Sequence, residues 1–261
     1  MADRADKADI FVLSDADVSV ERDHLQRVVS DLLADDKVGV VTCVYRARPL
    51  GSLASRFEAL SVNTDFAPQA ILSAAIEPLR HGLGATIAIK RAALDSIGCF
   101  RSLRDLLADD FYLGRFATEH GWKMKLSSSV VTITSEEQHF EDFWNHQLRW
   151  ARTYRTVRPE SLATIAIHGP LWALLYVIAS AASPASLALF AAVLAARCAM
   201  SAFVIARVLK LPELLRDVWL VPVKDCVMTA IWFASLTSKR VEWAGRRFEI
   251  LRGGAMREVK G

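Results

Sequence analysis

Apolar and polar positions alternate in three different ways along this chain. At first the apolar runs are short and bounded by charge. Ile10–Leu13 runs into the acidic SDADV (Ser14–Val18), which predicts a buried, parallel strand. In SVERDHLQRVVSDLLADD, Leu25, Val28, Val29, Leu32 and Leu33 share one face and predict an amphipathic helix. VGVVTCVYRA predicts a second strand, and LASRFEALSVNTDFAPQAILSAA a helix with a break near Pro68. GATIAIKRAALDSIGCF predicts a strand, then a helix from Arg91 stopped by Gly98. ADDFYLGRFATEHGW predicts a helix ended by Gly121, and KMKLSSSVVTITS a strand with alternation. Strands interleaved with helices predict an α/β domain with a mostly parallel sheet over residues 1–140.

The second pattern covers residues 141–160. Phe143, Gln147, Trp150, Tyr154 and Val157 form a largely apolar and aromatic stripe, while Arg149, Arg152, Arg155 and Arg158 recur every third residue. This predicts an interfacial helix, with its apolar side on acyl chains and its arginines toward headgroups.

The third pattern covers residues 161–237. From Leu162 to Ala206, 45 residues, the only formally charged side chain is Arg197. A bilayer core is about 30 Å thick, so this run is long enough for two spans. They are expected at about 163–182 and 186–206, with SAASPAS (Ser180–Ser186) as the turn. Val218–Leu236 is apolar but interrupted by Lys224 and Asp225. It is expected to be a re-entrant or third helix, with those two residues as an interfacial ion pair.

Composition sharpens the picture. Of 261 residues, 52% are hydrophobic, and the excess lies in that last region. The net charge of +3 is too small for a general nucleic-acid partner. Residues 238–261 hold Lys239, Arg240, Arg246, Arg247, Arg252, Arg257 and Lys260 against Glu242, Glu249 and Glu258. They read as a basic tail on an anionic cytoplasmic leaflet. Cys43, Cys99, Cys198 and Cys226 have no CxxC spacing and read as reduced thiols. The opening MADRADKAD carries no apolar leader pattern.

Two acidic pairs offer chemistry. Asp15 and Asp17, two apart after a strand, share a face on extended backbone. They suit Mg²⁺ or Mn²⁺ bridging to a diphosphate, or equally an Asx turn opening the next helix. Asp109 and Asp110 open a helix. They read as acids favoured by the helix dipole, or as a general base for a hydroxyl. His139 and His146 share a helical face, yet no Cys or third His completes a zinc set, and SEEQH reads as a solvated turn.

The ordered set SDADV, GATIAIKRAALDSIGCF, LADDFYLG and HQLRWARTYR, followed by apolar helices, resembles the ceramide glucosyltransferase branch (family 21) of family 2-type glycosyltransferases. That branch includes bacterial enzymes acting on hopanoid lipids. The resemblance covers nearly the whole chain from Ile10. It implies a partial GT-A-type (Rossmann-like) catalytic domain followed by C-terminal membrane helices, and inversion at the anomeric carbon. It implies a nucleotide-sugar donor (UDP-glucose or UDP-N-acetylglucosamine), a lipid acceptor of the ceramide or hopanoid kind, and Mg²⁺ or Mn²⁺.

By the same matching, Asp15 and Asp17 hold the metal and donor diphosphate. Asp110 is the catalytic base, with Asp109 where the family has Glu. Gly84, Ala85 and Thr86 line the donor site. Arg149 and Trp150 end a (Q/R)xxRW motif, and His146 and Gln147 belong to its donor-site segment. His146 departs from the family, standing where Gln or Arg is usual, and Cys99 replaces a usual Gly. Only nine residues precede Ile10, so the family's N-terminal membrane helix and nucleoside-binding βα unit are expected to be missing from this chain. A multi-pass protein of the bacterial inner membrane with a cytoplasmic catalytic domain is expected. The alternatives are a non-catalytic membrane scaffold and a sugar transferase for polyprenyl phosphate or polysaccharide.

Overall fold

The structure is a computed structural model and describes residues 8–243 and 246–259. The charged N-terminal segment 1–7 and Lys260 lie outside the described residues. In chain order the elements are β1 (Ile10–Ser14), β2 (Val18–Ser19), α1 (His24–Leu33), β3 (Val38–Thr42), β4 (Tyr45–Pro49), α2 (Leu53–Ser61), α3 (Ala67–Ile76), β5 (Thr86–Lys90) and α4 (Arg91–Ser96). Next come α5 (Asp109–Glu119), β6 (Lys123–Leu126), β7 (Val131–Ser135), α6 (Phe140–Val157), α7 (Gly169–Ala179), α8 (Pro184–Phe203) and α9 (Val221–Ser235). Three strands close the chain: β8 (Arg240–Trp243), β9 (Arg246–Ile250) and β10 (Met256–Glu258). The chain divides into two compact units. The first holds 1–46, 69–134 and 254–256, and the second holds 47–68, 135–253 and 257–261.

The first unit is built on a four-stranded sheet of order β1-β5-β3-β6. β3 is parallel to β6, while β5 runs antiparallel to both β1 and β3. Three of the four strands therefore share a direction, and β5 opposes them. Every residue of β3 is buried, as a central strand with two neighbours and covered faces should be. β1 departs from the expectation of a buried, parallel strand. It sits at the sheet edge, pairs antiparallel with β5, and leaves Val12 and Leu13 exposed.

α1 buries His24, Val28 and Leu32, four residues apart, and leaves Leu25 and Leu33 exposed. The buried line thus recruits a polar residue, whose Nδ1 lies 2.8 Å from Ser129 Oγ, in place of two of the predicted leucines. VGVVTCVYRA and KMKLSSSVVTITS each form two strands where one was expected. The predicted stops hold: Gly98 and Gly121 take φ of +83° and +87°, where glycine ends a helix without strain.

In the second unit, the irregularity expected near Pro68 is a change of helix type rather than a loop. α2 passes into a π-helical turn at Val62–Phe66, just ahead of Pro68. α6 opens on a capping box between His139 and Asp142. Phe143 is fully buried against Phe57, with ring centroids 5.8 Å apart.

Two helices, Pro184–Val208 and Pro212–Ser235, are long and apolar enough to cross a membrane. Pro159–Ile167 and Gly169–Ala179 meet at a 64° bend and make a third only if the bent pair is one span. The bend thus falls in the earlier segment rather than at 218–236. Ser180–Ser183 forms the turn between α7 and α8, with Ala181 and Ala182 at positive φ and Ser183 capping α8.

Lys224 and Asp225 do not pair with each other alone. Both are fully buried, joined to Arg197 of α8 and to Asp65 of the π turn. An apolar run tolerates such charges because each finds an opposite charge within the same unit. Nor is the C-terminal segment a free basic tail. β8 and β9 form an antiparallel hairpin, and Arg257 pairs with Glu249 at 2.6 Å.

Candidate active site

In the first unit, the sequence sends β1 into Asp15 at the sheet edge, where backbone and side chains pin it to the start of β5. Asp15 N donates to Ala85 O (3.1 Å), and Ser14 Oγ lies 2.9 Å from Thr86 Oγ1. From the other side, Leu83 N donates to Thr42 Oγ1 (2.8 Å), and Cys43 N to Thr86 O (3.0 Å). The segment Gly84-Ala85-Thr86 is therefore held between the ends of β1 and β3.

The same segment lies against the first turn of α5. A Cβ on Gly82 would meet the Asp110 carbonyl oxygen at 2.5 Å, and a Cβ on Gly114 would meet Gly82 N at 2.6 Å. Only glycine at both positions allows this approach. The loop before α5 is fixed by residues 254–256: Leu107 N donates to Gly254 O (3.1 Å), and Met256 N to Asp105 O (2.9 Å).

Asp15, Asp17, Asp109 and Asp110 thus come together around Gly84–Thr86. Burial pushes the Asp110 carboxyl up to about 6, with Asp109 and Asp15 adding to the rise against hydrogen bonds from its own amide and that of Phe111. Asp15 is also raised, by desolvation first, then by Asp17 and Asp109. Carboxylates that raise one another favour a cation among them. Their oxygens do not close a shell on their own: among the described residues, the groups with ligand atoms within 4.8 Å of one another lie elsewhere.

The HQLRW residues belong to the second unit. Gln147, buried, donates through Nε2 to Glu58 Oε1 at 2.8 Å. His146 Nδ1 lies 3.2 Å from Glu137 Oε1 and 3.4 Å from Glu58 Oε1, and its ring meets the edge of Trp150. Burial lowers Arg149, opposed by the charge of Glu58, and burial pushes the Glu58 carboxyl up to about 7. The arginine row is less free than an interfacial helix requires. Arg152 donates to Arg240 O (2.7 Å), Arg155 to Ser238 O (3.0 Å), and Arg158 pairs with Glu160.

Sequence reasoning passed over Glu58 and read SEEQH as a solvated turn. In the fold, Glu58 is buried, and Glu137 of that turn faces His146. In sequence Glu58 stands out only as the single acid of α2, flanked on its face by Ala54, Ser55, Ser61 and Val62.

Residues 1–256 match the family model described as Glycosyl transferase family 21.

Proposed function

The chain belongs to glycosyltransferase family 21, and from that premise we propose that it moves a hexose from UDP-glucose or UDP-N-acetylglucosamine to the hydroxyl of a membrane lipid of the ceramide or hopanoid kind. The observation that carries this reading is the raised Asp110 carboxyl beside the acidic pair Asp15 and Asp17, on a chain that also has two helices long and apolar enough to cross a membrane.

In this reading Asp110 accepts the proton of the lipid hydroxyl as that oxygen bonds to the anomeric carbon. The bond from that carbon to the diphosphate breaks from the opposite face, so the configuration inverts. Asp15 and Asp17 hold Mg²⁺ or Mn²⁺, which when bound neutralises charge on the departing nucleoside diphosphate. Arg149 stabilises the same growing charge, and Trp150 shapes the sugar or acceptor site. Asp109 strengthens the negative field that keeps Asp110 basic. Gly84, Ala85 and Thr86 present backbone to the donor. The apolar helices hold the acceptor's chain in the bilayer, with the catalytic unit on the cytoplasmic side.

The test is transfer from radiolabelled UDP-sugars, with Mn²⁺, to ceramide, hopanoid and diacylglycerol acceptors in membranes carrying the protein. Labelled glycolipid that disappears with Asp110→Asn supports the reading. Label appearing only in polyprenyl phosphate or polysaccharide, or in no lipid at all, overturns it.

A further inference from the structure

We propose that Glu58, Glu137 and His146 form a second metal site, for a divalent transition-metal ion of the zinc class, separate from the acidic pair Asp15 and Asp17. Each of the three offers one ligand atom, and these atoms lie within 4.8 Å of one another. His146 Nδ1 stands 3.4 Å from Glu58 Oε1 and 3.2 Å from Glu137 Oε1. Ligands about 2.1 Å from a common ion are spaced about 3.4 Å apart in a tetrahedron and about 3.0 Å in an octahedron. The two spacings from His146 already match such a shell.

Hydrogen bonding leaves the cluster incomplete. One Nδ1 proton cannot serve two carboxylates fully. Gln147 supplies one further donor, to Glu58 Oε1. Glu58 Oε2 and Glu137 Oε2 are both buried with no hydrogen-bond partner among the described residues. Glu58 itself is 2% exposed, so water does not serve it. A buried carboxylate with an orphaned oxygen is costly, and a cation relieves two at once.

The donor set selects the ion. One imidazole and two carboxylates suit zinc or manganese, whereas Mg²⁺ prefers an all-oxygen shell. Three protein ligands leave a position open for water. His146 is partly exposed and gives the ion a route in. The clip ties α2, the turn before α6 and α6 itself together, three residues ahead of Arg149.

The experiment uses the full chain, without a polyhistidine tag, in detergent. Asp15→Asn and Asp17→Asn are introduced to silence the acidic pair. Zn²⁺ retained after gel filtration is counted, and Co²⁺ binding is followed by its visible absorption. One equivalent is expected, with affinity at least tenfold weaker in His146→Gln and in Glu137→Gln, each added separately and each melting like the metal-free parent. No metal retained by the silenced chain, or affinity unchanged in both added variants, overturns the proposal. Because sugar transfer is not read, this result is separable from that of the transfer assay.

Discussion

Gly84 lies against Asp110: a Cβ at Gly84 would come 3.1 Å from Asp110 Oδ2. The carboxylate proposed as base therefore occupies space that any other residue would contest. Gly84→Ala is expected to push that carboxylate by a few tenths of an ångström. Misplacement on this scale costs up to about tenfold in kcat, while Tm stays near that of the parent. A normal kcat in Gly84→Ala would separate Asp110 from the chemistry.

Asp110 also sets an expected pH profile. Burial holds its carboxyl near 6, so the base form is gained as pH rises through that value. kcat/KM should rise on the acid side with an inflection near 6. Asp110→Asn should lower kcat by about 10²–10⁴, keep donor binding, and lose the inflection. An acid limb that persists in Asp110→Asn belongs to another group.

Asp31 gives a stability prediction of opposite sign. Desolvation raises its carboxyl, but Lys125 at 2.7 Å, Ser127 and the Ser128 amide together hold it below its ordinary value. A depressed carboxylate stabilises the fold above its unfolded pKa, and that contribution fades as pH falls through the folded one. Asp31→Asn should cost about 1 kcal/mol at neutral pH. The gap from the parent should close below about pH 4, as read by thermal melts across pH.

The buried charges of the second unit predict a pair of outcomes. Lys224 touches both Asp65 and Asp225, so Lys224→Met strands a negative charge and should destabilise by about 3–5 kcal/mol. Adding Asp65→Asn restores the charge balance and should recover most of that loss. Thermal stability in detergent measures both, and a double variant no better than the single one would mean the network acts through shape rather than charge.

Local signals were legible in the sequence because they act over a few residues. Glycines stop helices at Gly98 and Gly121, SAASPAS turns the chain between two apolar helices, and the acids at Asp15 and Asp110 sit where a strand ends and a helix begins. What escaped depends on pairings across long stretches of chain. Glu58 meets His146, and Arg197 meets Asp65, only because helices far apart in sequence pack together. Pattern reading places Lys224–Asp225 at an interface because it cannot see a buried partner on another helix. It likewise takes Ile10–Leu13 for a buried, parallel strand, since apolarity alone does not tell which strand ends at an edge. The arginine row reads as headgroup-facing for the same reason: Arg152 and Arg155 are claimed by the carbonyls of Arg240 and Ser238.

The four-charge cluster also bears on how the protein is made. Arg197 lies within the apolar helix Pro184–Val208, where a lone arginine costs about 2.5–3.5 kcal/mol at insertion. α9 carries Lys224 beside Asp225 and so enters close to neutral. Asp65 is synthesised well before Arg197, so its carboxylate is already available when α8 emerges. The counter-charge of Arg197 thus lies in a segment made earlier than the helix that carries the arginine, and Lys224 of the last helix completes the set.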